Sequence, residues 1–207
     1  MANVLQFSPR PPSKFGFERV SKRKKGLTGR KGQLNLFGRS EASVLRLPST
    51  AGAFEEGLLL DERNDPRAEE AYRKAIEEGD SIADAYCNLG ILLSRSGKTA
   101  RAFDSFTKSL EHDPRHFESH FNLANLYFDA GDLKLARVHY EIASEVDPEF
   151  ANLYFNLGLV LASQEEFSDA IAAFRRYQSL SPEEAEKANN ILATLEQSLS
   201  LRHRAGR

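Results

Sequence analysis

From residue 83 onward, apolar residues recur at helical spacing in short blocks. Tyr86, Leu89 and Leu93 stand at i, i+3 and i+7, and Ala102, Phe106 and Leu110 at i, i+4 and i+8. Each stripe is the mark of a helix with one buried face. The blocks then return at a fixed step of 34 residues. Asn88, Asn122 and Asn156 keep it, as do Ala102, Ala136 and Ala170, and Phe106, Tyr140 and Phe174. Pro114, Pro148 and Pro182 keep it too, and a proline disfavours helix in the residue before it. The pattern predicts three helix-turn-helix units over 83–116, 117–150 and 151–184. Each has a helix A and a helix B.

The flanks carry weaker versions of the pattern. In residues 51–82, Phe54, Gly57 and Leu60 suit a helix A. Asp65 and Pro66 are suited to be the N-cap and first residue of a helix B running through Ala68, Tyr72, Ala75 and Ile76. After Pro182, the stripe Ala185, Ala188, Ile191, Leu192, Leu195 and Leu199 predicts a closing helix over 185–200. Glu184, Lys187, Asn190 and Gln197 give it the polar outer face that a terminal cap requires. Neither helix of a unit can bury its stripe alone, so the units are expected to stack.

Tyr86-x2-Leu89-Gly90, then Ala102-x3-Phe106, then Pro114 resembles the tetratricopeptide repeat, and the next two units match in register. The departures are His120 for an aromatic residue, Ala124 for the glycine and Tyr177 for a small residue. The resemblance implies an all-α, right-handed solenoid whose A helices line a concave groove. Carried onto this chain, the inward slots are Asp84, Cys87, Asn88 and Ile91, then Glu118, Phe121, Asn122 and Asn125, then Asn152, Phe155, Asn156 and Leu159. Family members that grip chaperone tails use lysine and arginine in such slots. Here the slots hold carboxylates and aromatic rings instead.

An asparagine side chain both donates and accepts hydrogen bonds. A ladder of three could hold an extended peptide by its backbone, each bond contributing about 1 kcal/mol net. Equally, the asparagines could bond only between neighbouring helices. Both readings stand on the residues alone.

Charge divides the chain of 207 residues in two. Residues 1–50 hold 11 Lys and Arg against Glu18 and Glu41, a net +9, whereas residues 51–207 carry 17 basic and 28 acidic residues, a net −11. The first part has prolines at 9, 11, 12 and 48 and scattered apolar residues, so a disordered basic arm is expected. A +9 arm tethered to a −11 solenoid is expected to fold back over Asp84, Glu118 and Asp129 and to compete with outside partners.

Two stretches of the arm carry chemistry of their own. Gln33, Leu34, Leu36 and Phe37 form a Gln-Leu-x-Leu-Phe motif that resembles the bacterial sliding-clamp-binding pentapeptide, with Leu36 and Phe37 as apolar anchors. The run Lys22, Arg23, Lys24 and Lys25 suits phosphate neutralisation on nucleic acid, or nuclear import in a eukaryotic source.

Nothing in the pattern suggests catalysis. Ser96-Gly97-Lys98-Thr99 ends like a phosphate-binding loop, but Leu92 stands where the first glycine belongs. His112, His116 and His120 have a metal-like spacing, yet Pro114 interrupts the helix they would need. The lone Cys87 excludes an internal disulfide. Mean hydropathy is −0.48, and no apolar run reaches membrane-spanning length. The expectation is a non-enzymatic, cofactor-free interaction scaffold in a reducing, cytoplasm-like compartment, or the nucleus if the source is eukaryotic. It is expected to bind an extended or helical peptide segment of another protein in its groove. The alternative is a nucleic-acid-associated regulatory adaptor acting through the arm.

Overall fold

The computed structural model describes residues 13–21 and 52–205. Among the described residues there are nine α-helices: α1 (Ala53–Glu62), α2 (Ala68–Glu78), α3 (Ile82–Arg95), α4 (Thr99–His112), α5 (Phe117–Asp129), α6 (Leu133–Val146), α7 (Ala151–Ser163), α8 (Phe167–Leu180) and α9 (Glu186–Ala205). A single 3-10 turn, Pro182–Glu184, separates α8 from α9. Each helix packs mainly on its neighbours in the chain, α1 on α2, α3 on α4, α5 on α6 and α7 on α8. The result is a solenoid of four helical hairpins closed by α9.

Inside each hairpin a large ring of the second helix lies on a small residue of the first. A Cβ added at Gly57 would sit 2.6 Å from the Tyr72 ring. One added at Gly90 would meet Phe106 at 2.7 Å, and one at Gly158 would meet Phe174 at 2.8 Å. These approaches leave no room for a side chain, which is why glycine recurs there. The face opposite Gly90 is therefore the Phe106 ring, with Ala102 buried beside it. The turns between helices repeat as well. Gly97 and Gly131 take φ of 72° and 80°, and Glu165 adopts φ 63° at the same place in the fourth hairpin.

Three local features differ from the sequence reading. First, α2 begins at Ala68, two residues beyond Pro66, because Asp65 spends its side chain on a turn. Its Oδ1 accepts from the Arg67 amide at 3.0 Å, and its carbonyl accepts from the Ala68 amide. Second, α9 runs to Ala205. Third, Ser13–Ser21 of the arm lies extended against the solenoid, with Val20 only 1% exposed. The remainder of the arm, including Lys22–Lys25 and Gln33–Phe37, lies outside the described residues.

The core is built from two adjoining clusters. One gathers Phe54, Tyr72, Leu89, Phe106 and Val20. The other runs from Phe121 and Tyr140 through Phe155, Phe174 and Tyr177 to Ala188, Ile191, Leu192 and Leu195 of α9. Leu195 is fully buried, so the cap is part of the core. Replacing it by alanine removes buried methyl groups and opens a cavity. Leu195→Ala is expected to destabilise the chain by about 2–5 kcal/mol in chemical denaturation. An unchanged midpoint would mean that α9 is not packed on α8.

Candidate functional site

The A helices α3, α5 and α7 place Asn88, Asn122 and Asn156 in one line along the concave face, and all three are buried. What buries them is the extended segment 13–21. The Phe15 amide donates to Asn156 Oδ1 at 2.8 Å, and Asn156 Nδ2 donates back to the Phe15 carbonyl at 3.0 Å. Glu18 exchanges the same pair of bonds with Asn122, both at 2.7 Å. Val20 does so with Asn88, at 3.0 and 3.1 Å. Asn125 adds a bond from its Nδ2 to the Gly16 carbonyl at 3.1 Å.

This is the ladder that the residues allowed, and its rungs hold backbone. The segment runs against the order of the repeats, with Phe15 on the fourth hairpin and Val20 on the second. Steps of three and two residues in extended chain cover about 7–10 Å, close to the spacing of packed helices.

The ladder is itself held from behind. Asn125 Oδ1 accepts from the Tyr140 hydroxyl and from Asn156 Nδ2, the latter at 2.9 Å. Asn88 Nδ2 also reaches the Tyr72 hydroxyl at 3.4 Å, and Asn122 Nδ2 reaches Cys87 Sγ at 3.5 Å. Burial pushes the Cys87 thiol up to about 12, so it acts as a packed apolar group and not as a nucleophile.

The segment's side chains are read as well. The Phe15 ring meets Phe155 edge-on at 5.2 Å and Tyr177 at 5.9 Å, with Lys187 Nζ 4.9 Å from its centre. Phe17 stacks on Phe106 at 6.2 Å. Val20 is sealed into the core. Lys14 Nζ pairs with Asp129 at 3.2 Å, and Arg19 Nη2 with the buried Asp61 at 3.0 Å. Asp61 also pairs with Arg95, at 3.4 Å. A Cβ built on Gly16 meets nothing within 4 Å, so this position reads backbone alone.

Several expected slots have other occupations. Asp84 accepts from His116 Nε2 at 2.8 Å and does not meet the segment's cations. Asp129 does meet one of them, as expected, while Asp61 takes the other. Phe121 is core, packed by Phe117, Tyr140 and Phe150, whereas Phe155 faces the segment. Ile91 and Leu159 are core too, and Asn152 is half-buried on the same helix as Asn156.

The three histidines are separated by their partners. His112 stacks on Tyr86, His116 holds Asp84, and His120 Nδ1 lies 2.9 Å from His139 Nδ1. Burial and His120 hold His139 down at about 4. Gly97 forms a turn ahead of α4.

The carboxylates in the centre of the groove are less well matched. Glu118 Oε2 is buried without a hydrogen-bond partner. His116 Nδ1 lies 3.6 Å from it, too far for a hydrogen bond, and already accepts from the Ser119 amide. Glu18 of the segment is raised above the ordinary glutamate range by burial and then by repulsion from Glu118. The residues that sequence reasoning missed are Asp61, Tyr177, Lys187 and the segment itself. Asp61 had a signal: it shares a register with Arg95 and Asp129, each one repeat apart.

Comparison with known proteins follows the same lines. Residues 87–140 and 121–185 match a family model described as Tetratricopeptide repeat. BBSome complex member BBS4 of Bos taurus is 24% identical over 116 residues, which are 56% of this chain and 22% of that protein. The chain thus spans about a fifth of that relative's length. Among solved structures, MamA 41-end from Desulfovibrio magneticus RS-1 is 21% identical with a TM-score of 0.60, covering 72% of this chain and 89% of its own. The first TPR of Spaghetti (RPAP3) bound to the HSP90 peptide SRMEEVD is 23% identical with a TM-score of 0.54, covering 57% and 93%. At these identities the structures share the fold.

Two outcomes are expected for the docked segment. Asn122→Ala removes both bonds to Glu18, so amide exchange at Glu18 and Val20 should speed up at least about tenfold, since each bond contributes roughly 1 kcal/mol. Unchanged exchange would contradict the ladder. The second concerns pH. A carboxyl raised on docking favours the protonated, docked form, so docking weakens as pH rises through the raised value and is flat above it. Exchange of the segment, corrected for its intrinsic pH dependence, should therefore be slower near pH 5 than near pH 7. Glu18→Gln should remove that difference.

Proposed function

Because the chain is a tetratricopeptide-repeat protein, we propose that it is a non-enzymatic interaction scaffold whose concave groove binds an extended peptide through Asn88, Asn122 and Asn156. The observation that carries this is the pairing of each asparagine with both the amide and the carbonyl of one residue. Six such bonds address backbone, which every peptide shares. Specificity then falls to the sites of Phe15, Phe17 and Val20 and to Asp61 and Asp129. The groove favours a basic, aromatic segment. The RPAP3 domain was solved with a peptide carrying Glu-Glu-Val-Asp, the opposite sense of charge.

Docking of the chain's own segment sets burial and hydrogen bonding against the entropy of ordering it. Anchors contribute about 1.5–3 kcal/mol each when fully buried, and bonds about 1 kcal/mol. Ordering backbone costs about 1–2 kcal/mol per residue. A segment of this kind exchanges with competitors. Among the described residues no helix is long and apolar enough to cross a membrane. The alternative reading, contact with nucleic acid or a sliding clamp through the arm, falls on Lys22–Lys25 and Gln33–Phe37, outside the described residues.

The test uses the full chain with its own segment weakened by Phe15→Ala and Phe17→Ala. A labelled peptide of residues 13–21 should then bind with micromolar affinity, on the order expected for a short segment that orders on binding. Adding Asn88→Ala, Asn122→Ala and Asn156→Ala should abolish it. Absence of binding to the first variant, or equal binding to both, would overturn the proposal.

A further inference from the structure

We propose that the outside partner of this groove carries a lysine or arginine at the place Glu18 occupies, where it pairs with Glu118 and displaces the chain's own segment. This rests on the reading of the groove as a peptide site given above. The argument starts from the segment's charges. Lys14 faces Asp129 and Arg19 faces Asp61, so both cations meet carboxylates. Glu18, between them, is held by its backbone at Asn122, four residues from Glu118 on the same helix, and Glu118 repels its carboxylate.

The groove is therefore complementary to a cation at three successive charged places, and its own segment supplies two. The third, Glu118, has a buried oxygen without a hydrogen-bond donor. His116 cannot supply one, because its Nδ1 accepts from the Ser119 amide and its Nε2 faces Asp84. A buried carboxylate oxygen without a partner is costly, and an incoming ammonium or guanidinium would satisfy it. Glu118 lies on α5 next to the central rung, Asn122, so a peptide held by the ladder brings its residue there into reach.

The mismatch has a regulatory consequence. A tethered segment has a large effective concentration, and a well-matched one would exclude outside peptides at their ordinary concentrations. Glu18 keeps the segment weak enough to leave. The own segment then acts as a cover that selects against poor ligands, since a competitor must better it at this one position. The recognised class is an extended peptide with two aromatic residues separated by one residue, then a basic residue at the Glu18 place, a second basic residue at the Arg19 place and a β-branched residue after it.

The experiment compares two labelled peptides, residues 13–21 as they stand and the same peptide with Glu18→Lys. Both are titrated into the full chain carrying Phe15→Ala and Phe17→Ala, and into that chain with Glu118→Gln added. The lysine peptide is expected to bind at least tenfold more tightly to the first, and the advantage should fall to about threefold or less with Glu118→Gln. A general attraction of positive charge to the acidic solenoid would survive that substitution, so an undiminished advantage overturns the proposal. Equal binding of the two peptides to the first chain also overturns it. If neither peptide binds the first chain, the groove reading itself fails. A second measurement needs no added peptide: Glu18→Lys in the otherwise unaltered full chain should slow amide exchange at Phe15 and Val20 at least tenfold, and faster or equal exchange would contradict the pairing.

Discussion

The rest of the structure turns on the double hydrogen bond between an asparagine amide and the backbone N–H and C=O of a single residue. Asn88, Asn122 and Asn156 sit buried among aromatic and aliphatic side chains, where unpaired amides would be costly. Each is completed by one N–H and one C=O from the segment at its side. On the proposed reading, the groove therefore asks for an extended backbone before it asks for any particular side chain. The repeat supplies the geometry. Glycine or alanine in the first helix and a ring in the second fix the hairpin, and the hairpin fixes the height of the asparagine.

Side-chain contacts to the segment are layered on that backbone pairing by residues outside the repeat signature. Tyr177 and Lys187 shape the Phe15 site, and they come from the last hairpin and the cap, so α9 contributes to the groove as well as to the core. Asp61 and Asp129 stand at equivalent places two repeats apart, with Arg95 between them satisfying Asp61 from the other side. Losing Arg19 thus leaves the buried Asp61 with Arg95 still in reach. Among the described residues, the charges of segment 13–21 thus meet the solenoid in the Lys14–Asp129 and Arg19–Asp61 ion pairs, while Glu18 is repelled by Glu118.

The repeats were legible because their signal is written three times in register, and each copy checks the others. The asparagine slots followed from that register. Whether they held a ligand or only a neighbour was not legible, since an amide serves either role equally well. The docked segment was hidden for a different reason. Phe15, Phe17 and Val20 lie among prolines and cations with too few apolar residues to form a core, and they become anchors only once the groove supplies the other half of each contact. Phe121 was assigned to the groove by register, yet the packing of Phe117, Tyr140 and Phe150 around it draws it into the core. Asp65 and Pro66 looked like a helix start because an Asx turn and an N-cap use the same residue type.

The most direct test of the account is the seat of Phe15 in solution. Nuclear Overhauser contacts measured on the full-length chain should link the Phe15 ring to the rings of Phe155 and Tyr177, with intensities independent of protein concentration. Random-coil shifts for Phe15 to Val20, with no such contacts, would contradict it.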